Sequence, residues 1–201
     1  MSNFREVLLG EICNIEIGGT PSRSKEHYWW NSKNDGRAFP WVSISDMKDK
    51  VITQTKESIT QAGVDNSNCK MVPEGTLLMS FKLSIGKLAF AGKDLFTNEA
   101  IAAIIPDHQV SPDFLYYGLQ YWNLTGDIDQ AIKGVTLNKQ KLLKIPCLIP
   151  SLAEQNKIVE ILSQFDENIS LYRGYINKLQ LLKKGFSEEL LSGKKNINFQ
   201  L

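Results

Sequence analysis

The chain has 201 residues, 42% of them hydrophobic and 9% aromatic, with a net charge of +1. That length accommodates one domain with an appendage, or two small domains, and the composition supplies an ordinary globular core. The near-zero charge argues against a non-specific nucleic-acid binder, which is normally basic throughout, but leaves room for a local basic face. No stretch of about eighteen consecutive apolar residues is present, which argues against a membrane-spanning helix. The segment Met1-Ser2-Asn3-Phe4-Arg5-Glu6 is not a secretory signal. Cys13, Cys69 and Cys147 are odd in number and far apart. They form no C-x-x-C pair and no metal spacing with His27 or His108, so reduced thiols in a cytoplasmic protein are expected.

In chain order, Val7, Leu8, Leu9, Ile12, Ile15 and Ile17 open with short apolar pieces. The turn Gly18-Gly19-Thr20-Pro21-Ser22 follows, its glycines expected at positive φ and its proline fixing the exit. An aromatic patch, Tyr28-Trp29-Trp30-Asn31, and a polar turn at Asn34-Asp35-Gly36 precede a strand over Phe39-Pro40-Trp41-Val42-Ser43-Ile44. Val72-Pro73-Glu74-Gly75 reads as a turn, Thr76–Ser80 as a strand, and Lys87–Ala91 as its neighbour after Gly86. Ile101–Ile105, ending at Pro106, reads as a buried strand. Ser111-Pro112-Asp113 opens a helix, with serine as cap, proline in the first turn and an acid near the positive end. That helix carries Phe114, Leu115, Tyr117 and Leu119. A loop containing Lys133-Gly134-Val135-Thr136 leads to a short helix at Asn138–Leu143, and Ile145–Pro150 reads as a short buried strand between prolines. Several short strands, long loops and two modest helices predict an α+β class.

From Ser151 the pattern changes. Ser151-Leu152-Ala153-Glu154 is a capping box, in which the serine side chain and the glutamate side chain each satisfy the other residue's backbone N–H. Ile158, Leu162, Phe165, Ile169, Tyr172, Ile176 and Leu179 then recur at alternating steps of four and three, as a coiled-coil seam requires. After Leu179 the pattern reads as slipped: Lys183 stands at the next seam position, the apolar residue is Leu182, and Phe186 and Leu190 continue at four-residue steps. A slip of that kind locally unwinds a coiled coil. Gly174 and Gly185 each cost the helix about 1 kcal/mol against alanine. At about 1.5 Å per residue the helix is roughly 60 Å long. Its seam is expected to be covered by a second copy of the chain related by a two-fold axis.

Catalytic equipment is sparse. There is no G-x-G-x-x-G nucleotide fingerprint. Ser84-Ile85-Gly86-Lys87-Leu88 resembles the tail of a phosphate-binding loop, but Phe81 stands where glycine is needed and Leu88 where Ser or Thr should hold magnesium. Asp46-Met47-Lys48 has the acid-x-lysine spacing of some metal-dependent nucleases, with no convincing upstream acidic partner. The two histidines have no Ser, Cys or Asp constellation, and no Asn-Pro-Pro-aromatic signature of a DNA adenine methyltransferase is present.

Taken together these residues resemble the specificity subunit of type I restriction-modification systems. The resemblance rests on the order and spacing of Gly19-Thr20-Pro21-Ser22, Tyr28-Trp29, Pro40-Trp41-Val42-Ser43 with Asp46, Gly75–Ser80, Gly86-Lys87, Thr97-Asn98-Glu99-Ala100, Gly134 with Thr136, Ile145-Pro146 with Pro150, Glu154-Gln155, Ile158-Val159 and Leu190–Lys194. It implies a globular target recognition domain of mixed short strands over 1–150, a spacer and dimerisation helix over 151–192, and a tail over 193–201. It implies no catalysis and no cofactor in the chain itself: S-adenosylmethionine, ATP and magnesium belong to partner subunits. The implied partners are double-stranded DNA, adenine-methylating modification subunits and restriction/translocase subunits, with no membrane. Family members carry two recognition domains and two antiparallel helices, so this chain resembles half of one. An antiparallel homodimer reading an inverted-repeat, bipartite site is therefore expected. The alternative is a stand-alone dimeric DNA-binding regulator, and a small nuclease stands behind that.

Phosphate contacts position such a domain and base-edge contacts specify the sequence. Arg23, Lys25, Lys82, Lys87, Lys133 and Lys139 are the candidates for the first role, and Ser84, Thr136 and Asn138 for the second. Tyr28, Trp29, Trp30 and Trp41 could stack on bases but read as core. The dimerisation candidates are Ile158, Leu162, Phe165, Ile169, Tyr172, Ile176, Leu179, Leu182 and Phe186.

Overall fold

The computed structural model describes residues 4–31, 36–82, 84–122 and 138–193. Its strands are β1 (Arg5–Leu8), β2 (Cys13–Ile17), β3 (Phe39–Val42), β4 (Val51–Ile52), β5 (Glu57–Ile59), β6 (Met71–Val72), β7 (Leu77–Ser80), β8 (Leu88–Ala91), β9 (Leu95–Thr97), β10 (Ile101–Pro106) and β11 (Pro146–Ile149). Its helices are α1 (Leu9–Ile12), α2 (Gln61–Asp65), α3 (Pro112–Tyr121), α4 (Lys139–Leu142) and α5 (Leu152–Leu191). The expected α+β class with one long C-terminal helix is what forms.

Two sheets carry the core. The five-stranded sheet runs β2-β10-β7-β8-β4, antiparallel except for the β8–β4 pair. Its central strands are apolar on both faces: all four residues of β7 and the first four of β10 are buried. A strand covered on both sides reads as a continuous apolar run rather than an alternation, which is why these two were visible in the sequence. The four-stranded sheet runs β5-β3-β9-β6, with β3 and β9 parallel. Leu78, Ala89, Leu95, Ile101 and Ala103 join Val42, Met47, Ile52 and Val72 in the main apolar cluster. Trp41, Ile59 and Phe96 form a second, packed by Trp29, Phe39, Val64 and Cys69. β1 pairs antiparallel with β11 and so ties the start of the unit to its end.

The turn at Gly18-Gly19 corrects an expectation. Neither glycine has positive φ; among the described residues Gly36, Gly75, Gly86 and Gly193 do. Gly18 and Gly19 are needed for close approach instead. A Cβ on Gly18 would overlap the Thr97 carbonyl, and one on Gly19 would sit 2.6 Å from the Asn68 carbonyl carbon.

The chain divides between Lys157 and Ile158. The first turn of α5 belongs to the globular unit because Gln155 is fully buried there. Its Oε1 accepts the Ser111 N–H at 2.8 Å, and its Nε2 donates to the Gln109 and Pro150 carbonyls at 3.0 Å each. The capping box forms as expected: Ser151 N–H donates to Glu154 at 3.2 Å, and Glu154 N–H donates to Ser151 Oγ at 3.4 Å. Ser111 likewise caps α3 by accepting the Phe114 N–H at 3.3 Å.

From Ile158 onward α5 is one continuous helix, and the expected slip after Leu179 does not stand. Phe186 and Leu190 fall seven residues beyond Leu179 and Lys183, so the heptad phase is kept and Lys183 is a single polar residue in an apolar seam. Leu182 flanks that seam. The seam is exposed in the single chain, with Phe165 at 62%, Tyr172 at 69% and Phe186 at 51%.

Candidate nucleic-acid interface

Local chemistry brings two loops together across the turn that joins β9 to β10. In the first, Gly18 N–H donates to the Ile101 carbonyl and Gly19 N–H to the Thr97 carbonyl, at 3.2 and 2.8 Å. The Gly19 carbonyl in turn accepts from the buried Trp41 indole at 3.0 Å. In the second, Ser80 holds the β7–β8 connection. Its hydroxyl donates to the Ser84 carbonyl and accepts the Lys87 N–H, while its own carbonyl accepts the Gly86 N–H at 2.9 Å. Gly86 supplies the positive φ that this turn requires. Between the loops, Phe81 N–H donates to the Ala100 carbonyl at 2.9 Å, and the Thr20 hydroxyl donates to Glu99.

Two carboxylates, Glu57 and Glu99, stand among the cations of this region. Arg23 donates through both terminal nitrogens to Glu57, at 2.5 and 3.0 Å, and its guanidinium lies 3.5 Å from the centre of the Trp29 ring. A bidentate pair stacked on an indole fixes the fork in one plane. The Arg23 hydrogen bond holds the Glu57 carboxyl below its usual range. The Thr20 hydrogen bond, helped by the charges of Lys82 and Arg23, does the same for Glu99.

The other expected contact residues divide. Lys25, Ser84 and Lys87 are exposed, and the Lys87 ammonium reaches the Ile44 carbonyl at 3.5 Å. Asn138 and Lys139 stand at the start of α4. The Asn138 side chain caps α4 by accepting the Lys141 N–H at 3.0 Å, and just beyond α4 the Leu143 carbonyl accepts the Gly10 N–H at 2.9 Å. Lys133 and Thr136 lie outside the described residues. Of the aromatic patch, Trp41 is buried, Trp29 packs edge-on against it at 4.9 Å, and Trp30 is exposed at 38%.

Glu57 and Glu99 were missed as members of this region. Glu57 carries no local signal, since its partner is distant in sequence; Glu99 stands in a recognisable motif whose role only the fold reveals. Asp46 has a structural function. Its carboxylate accepts the Ser43 N–H and hydroxyl, at 2.9 and 2.8 Å, and the Lys56 N–H at 3.3 Å. Burial pushes the Cys13 and Cys147 thiols up to about 12, so both remain protonated. Among the described residues no helix is long and apolar enough to cross a membrane.

Comparison with known proteins gives the family. The chain is 31% identical over 170 residues to the type I restriction enzyme MjaIX specificity subunit of Methanocaldococcus jannaschii, covering 79% of this chain and 37% of that protein. It is 28% identical over 188 residues to the EcoR124I/EcoR124II specificity subunit of Escherichia coli, covering 89% and 45%. Among solved structures, a chain of the type I R-M system shares the fold with a TM-score of 0.73 at 22% identity, over 94% of this chain and 45% of that one. The HsdS subunit from Thermoanaerobacter tengcongensis does so with a TM-score of 0.63 at 22% identity, over 84% and 38%. The chain therefore spans less than half the length of these relatives. A family model for the type I restriction modification DNA specificity domain matches residues 1–181, through the globular unit and most of α5, and the chain belongs to that family.

Proposed function

We propose that the chain is a non-catalytic DNA-specificity component of a type I restriction-modification complex, acting in the cytoplasm as a homodimer. Residues 1–150 serve as the recognition domain and 151–192 as spacer helix, with 193–201 as a tail. Two copies pair through antiparallel α5 helices and read an inverted repeat, two identical half-sites separated by unspecified bases. The pair docks adenine methyltransferase and restriction subunits, which bring S-adenosylmethionine, ATP and magnesium; the chain itself carries none of them.

The observation that carries this reading is the heptad seam of α5. A row of large apolar side chains left in water needs a cover, and an identical seam satisfies a two-fold axis. The paired Arg23 and Glu57 and the near-neutral net charge favour dependence on partner subunits for tight DNA binding over a stand-alone regulator.

The test is co-expression with a modification subunit followed by mapping of methylated adenines. A symmetric bipartite site is expected. No methylation, or an asymmetric site, overturns the proposal. In parallel, Ile169→Asp places an unpaired charge in the seam and should give a monomer by light scattering; a variant that stays dimeric removes the seam from the interface.

A further inference from the structure

The heptad phase puts Leu162, Ile169, Ile176, Lys183 and Leu190 in one set of seam positions and Ile158, Phe165, Tyr172, Leu179 and Phe186 in the other. In an antiparallel pair, residues of one set on one helix face residues of the other set on the second, and only registers one heptad apart keep them facing. Building on the homodimer reading, we propose that two copies of α5 pair in the register that sets Ile158 of each copy against Leu190 of the other, with the two-fold axis at Gly174.

The remaining layers follow. Leu162 faces Phe186, Phe165 faces Lys183, Ile169 faces Leu179, and Tyr172 faces Ile176, each twice. This register starts at the first residue beyond the globular unit and ends at the last seam residue of the helix, so no apolar layer is left in water. The register one heptad shorter sets Lys183 against Ile158 and Phe186 against Gln155. Gln155 is fully buried in its own copy, so Phe186 and Leu190 would lose their cover.

Charge supports the same choice. Phe165 is followed by Asp166 on the flank nearest the partner's Lys183, so the lysine can lay its stem along Phe165 and bring its ammonium to that carboxylate. A parallel pair would instead stack Lys183 on Lys183 inside the seam, so one lysine selects the antiparallel orientation. The register has one cost, Arg173 facing Arg173 across the axis. Its geometric consequence is a ruler: the two helix starts stand about 48 Å apart along the coil, roughly fourteen base pairs of duplex.

Cysteine pairs in the full chain read the register directly. Ile169→Cys with Leu179→Cys should form two intermolecular disulfides on mild oxidation, located by peptide mass mapping. Ile169→Cys with Tyr172→Cys should not, because those residues face each other only in the shorter register. Charge variants give a second readout by sedimentation. Arg173→Gln should tighten the dimer about twofold, Asp166→Lys should weaken it about threefold, and adding Lys183→Asp to the latter should restore it. A dimer that cross-links through the second pair, or that Arg173→Gln weakens, overturns the register alone. A chain that is monomeric throughout overturns the homodimer beneath it.

Discussion

Replacing Gln155 by leucine tests whether the first turn of α5 is held by polar contacts or by packing. The side chain is fully buried and its three hydrogen bonds run to backbone groups of Ser111, Gln109 and Pro150. Leucine keeps the volume and removes every one of them. Each lost bond is worth about 1 kcal/mol, and the Pro150 carbonyl, the most deeply buried of the three groups, about 2 kcal/mol. The expected loss is therefore about 4 kcal/mol, a melting temperature lower by roughly 10 °C for a chain of this size. Gln155→Glu sharpens the test: the carboxylate has the same shape but, when ionised, cannot donate to two carbonyls. It should be worse than leucine at neutral pH and recover partly on acidification. Thermal melts and urea titrations of the three proteins measure this. A Gln155→Leu protein melting within about 2 °C of the parent would show that packing alone seats the helix.

Glu57→Gln should remove only about 0.5 kcal/mol, since both side chains of the Arg23–Glu57 pair are largely exposed. The folded carboxyl is held below its usual 4.5, so its contribution is present above that value and lost as the pH falls through the folded value. The difference from the parent should vanish in acid; a difference that grows there contradicts the pairing. Gly185→Ala should stabilise the protein by about 1 kcal/mol, because the new Cβ meets nothing within 4 Å and helix propensity alone decides. A loss would reveal a neighbour at that face. Thr97→Val should stabilise by about 1 kcal/mol, since the buried Thr97 hydroxyl has no hydrogen-bond partner among the described residues. Destabilisation would mean the hydroxyl is satisfied in solution.

Much of the fold was legible where the signal is local or periodic. The caps at Ser111 and Ser151 were visible because capping depends on residues three apart. β7 and β10 were visible because strands buried on both faces need uninterrupted apolar runs. β4, β5, β6 and β9 were not, since elements of two or three residues leave no period to detect. Gly18 and Gly19 looked like a positive-φ turn because a steric need for missing Cβ atoms, arising from Thr97 and Asn68, leaves the same mark in a sequence. In the candidate interface the cations were legible by type, but their counter-charges were not. The pairing of Arg23 with Glu57 depends on the connection between β2 and β3 lying against β5, where Trp30 N–H donates to the Ser58 carbonyl, and no window around either residue shows it.

Under the proposed function, that pairing bears on how a nearly neutral chain would read DNA. An exposed ion pair contributes well under 1 kcal/mol, so Glu57 is a weak competitor for a guanidinium offered a phosphate. Its larger effect is geometric, holding Arg23 flat against Trp29 so that the fork is already oriented. At Arg23 such a surface would give up some long-range attraction, because that cation arrives already paired with a carboxylate, and would keep a directional contact that a matching site satisfies. Arg23 should therefore add little to the affinity for arbitrary DNA or to its salt dependence. In the proposed homodimer, two such readers joined by a helix pair would gain from effective concentration only when both half-sites stand at the separation the helices impose. The proposed dimer would then read the spacing of the site as stringently as its bases.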